Sequence, residues 1–215
     1  MIFKKEQLTL YAITDSSCIG GRGLCECVEA ALKGGASIVQ LRDKGAGYQQ
    51  LVEEARALLP VCRRYGAPLI VNDNWQAAIE AGADGVHVGI EDAPVSEIRA
   101  KAPEGFIIGA TAKTVQQAKA AEAAGADYLG VGALFPSPTK KNAIHVSKEQ
   151  FREIAASVNI PCVAIGGITR ENIHELNGMG AAGYAVVSAL FGGEDIESAA
   201  RELSRLGATP PQGGK

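Results

Sequence analysis

Gly125-Ala126-Asp127-Tyr128-Leu129-Gly130-Val131 is the stretch on which the predicted fold of this chain depends. It joins an Ala- and Lys-rich run with helical character to a short apolar run that favours a strand. The glycine suits the position just after a helix, where φ is positive. Similar joints occur at residues 35–37, 82–84 and 180–182, so the intervals are 47, 43 and 55 residues. Each interval holds two strand–helix units, which predicts a periodic scaffold.

Short strand candidates alternate with longer helix candidates along the whole chain. The predicted strands are Leu8–Thr14, Ser37–Arg42, Pro68–Val71, Gly85–Val88, Phe106–Ala110, Tyr128–Gly132, Pro161–Ile165 and Gly183–Val187. The predicted helices are Gly23–Gly34, Tyr48–Tyr65, Trp75–Ala81, Pro94–Ala102, Thr114–Ala124, Ser147–Val158, Arg170–Met179 and Ile196–Leu206. Eight such units indicate an α/β fold, a single closed (β/α)₈ TIM barrel, with an open doubly wound sheet as the alternative. We expect a catalytic domain over residues 1–207 and a flexible, Pro- and Gly-rich tail over 208–215.

Composition excludes several classes of protein. The chain has 215 residues, 47% of them hydrophobic, and a net charge of −3. That charge argues against a partner that is a nucleic acid or a membrane surface. The polar start lacks the apolar core of a signal peptide, and the five cysteines show no CxxC pair. We therefore expect a cytoplasmic protein with reduced thiols and leave a homo-oligomer open.

The second predicted strand carries polar residues toward its carboxyl end. Gln40, Arg42 and Lys44 occupy alternate positions, so they are expected to share one face, pointing into the barrel. Active sites of such barrels lie at the carboxyl ends of the strands. Two cations there indicate a bound anion, although an internal network with buried carboxylates would explain them as well.

The third and fourth strands end in acidic residues. Asn72 and Asp73 close the third strand, and Asp92 follows the fourth. Two carboxylates beside an anion site would repel the anion unless a cation lay between them. Mg²⁺ commonly takes one or two carboxylates together with substrate phosphate oxygens and waters. The pattern thus favours a metal-bound polyphosphate, while Asp92 alone could instead cap the helix that follows.

Two further stretches favour phosphate binding. The loop after the sixth strand, residues 132–141, contains two prolines together with the donors Ser137, Thr139 and Lys140. Taken alone it is more typical of an ordinary solvated surface loop. The seventh strand leads into Gly166-Gly167, and the eighth ends at Ser188. Glycine-rich loops after strands 7 and 8 are the usual phosphate cradle of this barrel, the alternative being a tight turn that needs positive φ.

At these positions the sequence resembles the thiamine-phosphate synthase family from the first strand to the last. The matching stretches are YAITD (11–15), VQLRDK (39–44), VND (71–73), DGVHVGIED (84–92), IIGATAKT (107–114), GADYLGVGALFPSPTKK (125–141), VAIGGI (163–168) and AVVSAL (185–190). The resemblance implies a transferase that joins 4-amino-2-methyl-5-hydroxymethylpyrimidine pyrophosphate to 4-methyl-5-(2-phosphoethyl)thiazole. Pyrophosphate is released in a magnesium-assisted, dissociative substitution.

The resemblance also implies a role for each matching residue. The pyrimidine pyrophosphate would be held by Gln40, Arg42, Lys44, Asn72 and Lys140, and Thr111 would lie near the leaving group. Arg42, Lys44, Lys140 and Thr111 would be the catalytic set, and Asp73 and Asp92 the Mg²⁺ ligands. The thiazole phosphate would contact Ser137, Thr139, Gly167 and Ser188.

Four positions depart from the family pattern: Asn74, Ile90, Lys113 and Ala133. Ile90 replaces a frequent glutamine, Lys113 a usual histidine, Ala133 a usual proline, and Asn74 a frequent arginine. None of them removes an implied phosphate or metal ligand. The alternatives are a thiazole tautomerase, another phosphate-binding barrel enzyme such as an epimerase, or a catalytically silent protein that binds thiazole phosphate. Because position 113 is a lysine rather than a histidine, the tautomerase alternative is less favoured.

Overall fold

Eight parallel strands close into a barrel, as the sequence predicts. The structure, a computed structural model, describes residues 3–136 and 145–207. Each strand pairs with the next, and the first pairs with the last. The strands are β1 (Leu10–Ile13), β2 (Ile38–Leu41), β3 (Leu69–Asn72), β4 (Gly85–Val88), β5 (Ile107–Ala112), β6 (Tyr128–Val131), β7 (Cys162–Ile165) and β8 (Gly183–Val186). The opening at the carboxyl ends of the strands is called the mouth. Because the strand order is closed, β3 and β7 lie on opposite sides of this mouth.

Helices surround the strands. They are α1 (Ser16–Ile19), α2 (Leu24–Lys33), α3 (Tyr48–Arg64), α4 (Trp75–Ala81), α5 (Val95–Lys101), α6 (Val115–Ala123), α7 (Lys148–Ala156), α8 (Ser188–Phe191) and α9 (Ile196–Gly207), with 3₁₀ helices at Lys5–Leu8 and Ile173–Leu176. The helix predicted over Arg170–Met179 is wrong, because only four residues of it form a 3₁₀ turn. The Asn172 side chain bonds the backbone of Thr169 and Gly167 in front of that turn, and Gly178 has a φ of 74° behind it.

The four predicted joints have the expected backbone. Gly35, Gly82, Gly125 and Gly180 all have positive φ, between 78° and 110°. In two joints the aspartate two residues later accepts an N–H near the start of the preceding strand: Asp84 from Leu69 and Asp127 from Ile108. Ser37 accepts from Leu10 in the same way. These side chains fix the stagger of neighbouring strands at the amino-terminal end of the barrel.

Alternate side chains of each strand enter two separate cores. The larger core lies between strands and helices and includes Val39 and Leu41 of β2. The smaller core fills the barrel interior and consists of Leu8, Tyr11, Ile13, Ile38, Ile70, Ile107, Tyr128, Val163 and Ala185. Gln40 points into this interior and is only 2% exposed.

Three further predictions concern the cysteines, membrane-spanning helices and the carboxyl-terminal tail. All five cysteines are free thiols. No helix within residues 3–136 and 145–207 is long and apolar enough to cross a membrane. The tail predicted at residues 208–215 lies outside the described residues.

Candidate active site

The carboxyl ends of β1 and β2 are joined through Arg42. Its backbone N–H donates to the Thr14 hydroxyl at 2.8 Å, and its guanidinium forms an ion pair with Asp15. Burial alone would raise the pKa of Asp15, but hydrogen bonds from Ser17 and the charge of Arg42 outweigh it and lower the pKa. Asp15 is 8% exposed. The predicted alternative for Arg42 and Lys44, an internal network with a buried carboxylate, is therefore present for Arg42. Arg42 retains donors for a further anion, since a guanidinium carries five N–H groups.

The structure corrects one detail of the predicted polar face. Strand β2 ends at Leu41, so Arg42 and Lys44 lie in the loop beyond it rather than on the strand. Gln40 is buried in the interior, whereas Lys44 is exposed at the mouth. The alternation therefore holds for Gln40, whereas in the loop Arg42 pairs with Asp15 after β1 and the charge of Lys44 acts on Asp73 after β3.

Asp73 and Asp92 meet at the mouth, in hydrogen-bonding contact with each other. The pKa of Asp73 is raised to about 6, first because the surrounding protein displaces its water and then because Asp92 adds a second carboxylate. Lys44 and Asn72 act in the opposite direction. Two carboxylates this close, with a side-chain amide beside them, form a donor set that a hard divalent cation would satisfy. In the described parts of the chain, no third acidic, histidine or cysteine side chain completes a protein-only metal cluster.

The backbone around these carboxylates is specialised. Asp73 has a φ of 62°, in the left-handed region that only a few per cent of non-glycine residues adopt. Its N–H donates to the His87 carbonyl at 2.8 Å, which holds it there. Asp92 accepts the Gly89 N–H at 2.7 Å, while helix α5 begins after Pro94. The alternative of Asp92 as the cap of that helix is therefore wrong.

Thr111, near the end of β5, is tied to the barrel interior. The Nε2 atom of His87 lies 3.1 Å from the Thr111 hydroxyl, and its Nδ1 atom lies 3.1 Å from the Tyr128 hydroxyl. The Tyr128 hydroxyl is 2.7 Å from that of Tyr11, which accepts from Gln40 at 2.8 Å. Burial lowers the pKa of His87 to about 4, with the Asp92 charge acting weakly against it. The imidazole is therefore neutral near pH 7.

The ends of β6 and β7 lie against each other on the opposite side. Phe135 donates its N–H to the Gly166 carbonyl at 3.0 Å. Gly167 has a φ of 63°, and a Cβ there would lie 2.3 Å from the Pro136 carbonyl oxygen. Both features require glycine, so the tight-turn alternative is correct for this position, and a phosphate role would be additional. Strand β8 ends at Val186 rather than at Ser188, which begins α8 after Val187.

The loop predicted to clamp phosphate is only partly described. Ser137, Thr139 and Lys140 lie outside the described residues. The two ends of the loop are joined, because Val146 donates its N–H to the Ala133 carbonyl at 2.9 Å. Ala133, one of the four departures, thus accepts a backbone hydrogen bond that a proline there could accept equally well. Asn74 caps α4 through the Ala77 N–H, and Ile90 is 49% exposed at the mouth.

Sequence reasoning missed the partners that hold the predicted residues in place. Asp15 and the interior side chains of Tyr11, His87 and Tyr128 received no functional role. A signal was available, because Tyr11, Ile13 and Asp15 alternate along β1 and its continuation, which places them on the interior face.

Comparison with known proteins agrees with this geometry. The family model described as thiamine monophosphate synthase matches residues 10–190. The chain is 40% identical to a thiamine-phosphate synthase of Clostridium tetani over 201 residues, covering 94% of this chain and 96% of the relative. It is 44% identical to that of Caldivirga maquilingensis over 193 residues, covering 89% and 93%.

A solved structure extends the agreement to three dimensions. The thiamine phosphate pyrophosphorylase of Pyrococcus furiosus has a TM-score of 0.87 and 39% identity, covering 94% of this chain and 96% of that one. A match of this length, in sequence and in fold, spans every strand that contributes to the mouth. The chain belongs to the thiamine monophosphate synthase family.

Proposed function

We propose that this chain is a transferase that joins hydroxymethylpyrimidine pyrophosphate to thiazole phosphate, producing thiamine phosphate and pyrophosphate. The observation that carries the proposal is the Asp73–Asp92 pair beside Lys44, with Arg42 held by Asp15 at the same end of the barrel. A pair of carboxylates next to cations suits a metal-bound pyrophosphate better than a simple phosphate. Family membership supports the same reaction.

The pyrophosphate half of the site lies over β2, β3 and β4. Gln40 would bind the pyrimidine from the interior, because it is buried and its amide can both donate and accept. Arg42, Lys44 and Asn72 would hold the pyrophosphate from neighbouring strand ends. Lys140 is proposed for the same role from outside the described residues. Several fixed cations around a leaving group stabilise the charge that develops on it.

Asp73 and Asp92 would hold Mg²⁺, and the residues present fit that ion. Both are hard oxygen donors in mutual contact, and Asn72 adds an amide next to them. When bound, the ion supplies positive charge to the pyrophosphate oxygens. The left-handed backbone of Asp73, held by the His87 carbonyl, goes with a carboxylate in contact with Asp92, an arrangement that would suit a shared ion.

The thiazole phosphate half lies across the mouth, over β6, β7 and β8. The N–H groups of Gly167 and Ser188 have no acceptor within the described parts of the chain, so they are available to phosphate oxygens. Ser137 and Thr139 are proposed to add hydroxyl donors. Because β3 and β7 face each other across the barrel, the two substrates would enter from opposite sides and meet over the interior.

The reaction then needs little covalent help from the protein. The bond between the pyrimidine methylene carbon and the pyrophosphate oxygen breaks, and its electron pair leaves with pyrophosphate. The thiazole nitrogen donates its lone pair to the resulting carbocation. Arg42, Lys44 and Lys140 would stabilise the leaving group, with Thr111 as a neighbouring donor. Holding both substrates in one mouth replaces a bimolecular encounter.

The extent of the domain, its location in the cell and its oligomeric state are part of the proposal. We place the catalytic domain at residues 1–207, in the cytoplasm where phosphorylated substrates are made. A chain that ends at Gly207 should then keep its full activity. A homo-oligomer is compatible with this site.

The decisive assay combines both substrates with Mg²⁺ and measures thiamine phosphate. Folded protein that makes no product would refute the proposal in favour of a silent thiazole-phosphate-binding protein. Asp92→Ala should raise the Mg²⁺ concentration for half-maximal rate by at least about tenfold. Glu91→Ala is the matched control, because it removes an exposed carboxylate one residue away. Equal Mg²⁺ dependence in the two variants would contradict the ligand role of Asp92.

A further inference from the structure

A chain of hydrogen bonds crosses the barrel interior below the mouth. It runs from Gln40 through Tyr11, Tyr128 and His87 to Thr111, and its four contacts measure 2.8, 2.7, 3.1 and 3.1 Å. The first four side chains are all buried. Its two ends are proposed substrate contacts, whereas the three side chains between them have no role in the reaction so far.

Glycines make room for this chain. Gly109 of β5 lies in register with His87 on one side and Tyr128 on the other. A Cβ at Gly109 would lie 2.1 Å from Tyr128 Cζ and 2.5 Å from His87 Nδ1. A Cβ at Gly130 would lie 3.0 Å from His87 Cε1. The two rings can therefore meet across β5 only because these positions carry no side chain.

The partners along the chain decide which way its protons point. The Gln40 amide nitrogen can only donate, so the Tyr11 oxygen accepts. In the described parts of the chain, the other partner of the Tyr11 hydroxyl is Tyr128, and a buried proton without an acceptor is costly. Tyr11 therefore donates to Tyr128. By the same reasoning Tyr128 donates to His87 Nδ1.

A neutral imidazole has one N–H, so accepting at Nδ1 leaves that proton on Nε2. Nε2 then donates to the Thr111 hydroxyl oxygen. Within residues 3–136 and 145–207, the Thr111 hydroxyl proton has no acceptor. Because Thr111 is half-buried near the end of β5, that proton is available at the mouth.

We propose that this one-way chain makes His87 a positioning residue, which holds the Nε2–H tautomer and keeps the Thr111 hydroxyl free to donate toward the mouth. The ligand that would accept this bond is the departing pyrophosphate, and this part rests on the proposed function. The tautomer itself does not depend on the reaction.

The tautomer can be measured directly with protein labelled with ¹⁵N in its histidine rings. The chain has three histidines, and His145 and His174 are exposed. Single His145→Gln and His174→Gln variants assign their signals, which leaves the His87 signals identified without disturbing the interior. At pH 8 we expect His87 protonated at Nε2 and bare at Nδ1. A proton on Nδ1, on both nitrogens, or exchanging between them would overturn the proposal.

Turnover tests whether the tautomer acts through Thr111. Tyr128→Phe keeps the ring and removes the donor to His87, so we expect kcat to fall by about tenfold to a hundredfold. The KM values should stay within about twofold. In a Thr111→Val background the same change should add no further loss, because residues that act as a unit are not additive. Independent, additive losses would overturn the positioning role.

Tyr184→Phe is the matched control for a lost buried hydroxyl. Its hydroxyl donates to Asn177 at 3.3 Å in the larger core between strands and helices, away from the hydrogen-bond chain. We expect its kcat and its His87 tautomer to equal those of the unsubstituted protein. If the protein lacks transferase activity altogether, the proposed function fails, while the measured tautomer still supports or overturns the hydrogen-bond chain.

Discussion

Gly109→Ala should be among the most damaging single-methyl additions in this protein. The new Cβ would lie 2.1 Å from Tyr128 Cζ, 2.3 Å from its hydroxyl oxygen and 2.5 Å from His87 Nδ1. Neither ring has space to move aside, because Tyr128 is 0% exposed and His87 is 9% exposed. Both strands that carry the rings are paired with β5, so the backbone cannot shift independently.

The magnitude follows from two separate costs. Overpacking a dense core by one methyl group costs about 1–3 kcal/mol. Pushing the rings apart also breaks the Tyr128–His87 hydrogen bond and leaves a buried acceptor unpaired, which costs about 1–3 kcal/mol. The free energy of unfolding should therefore fall by about 2–6 kcal/mol. For a domain of this size that lowers Tm by roughly 5–20 °C.

Urea unfolding followed by circular dichroism measures this change, with Gly193→Ala as the control. A Cβ at Gly193 meets nothing within 4 Å, so its unfolding free energy should change by less than about 0.5 kcal/mol. If both variants unfold at the same urea concentration with the same slope, the packing argument at Gly109 is refuted.

Three further predictions address other parts of the molecule. Because burial lowers the pKa of His87 from 6.5 to about 4, the unfolded chain takes up that proton first, and stability should fall between pH 6.5 and 4. Compared with His87→Gln, urea titrations should show a pH-dependent loss of up to about 3 kcal/mol; parallel curves would contradict it. Gly167→Ala places a Cβ 2.3 Å from the Pro136 carbonyl oxygen, so KM for thiazole phosphate should rise by at least about fivefold, while an unchanged KM would argue against a cradle there. Asp15→Asn weakens the ion pair that orients Arg42, so KM for the pyrimidine pyrophosphate should rise by about tenfold, and steady-state kinetics showing no change would remove Asp15 from the site.

Local chemistry explains why the scaffold could be predicted well. Glycine is favoured at the four helix-to-strand joints because each has positive φ, a property of the residue itself. Alternation along β2 predicted the interior position of Gln40 for a similar reason, since successive side chains of a strand point to opposite faces. The predicted helix at 170–179 failed because Asn172 bonds the backbone instead of capping a longer helix.

Side-chain partners across the barrel could not be predicted in the same way. Asp15 was overlooked beside Arg42, although the residues are only 27 positions apart. The Asp92 carboxylate accepts the Gly89 N–H and contacts Asp73. The sequence had left open that Asp92 caps the following helix instead. These side-chain contacts depend on how the loops lie relative to one another, which a local sequence pattern does not predict.

The sequence by itself determined the number of strands, the positions of the joints and the family, because these depend on residue types and their spacing along the chain. The tertiary structure decided which side chains meet: Arg42 with Asp15, Asp73 with Asp92, and Tyr128 with His87 across Gly109. The physical reason is register. A contact between strands requires the stagger of the closed barrel to bring two atoms within about 3 Å. That stagger is set jointly by all eight strand pairings rather than by any one stretch.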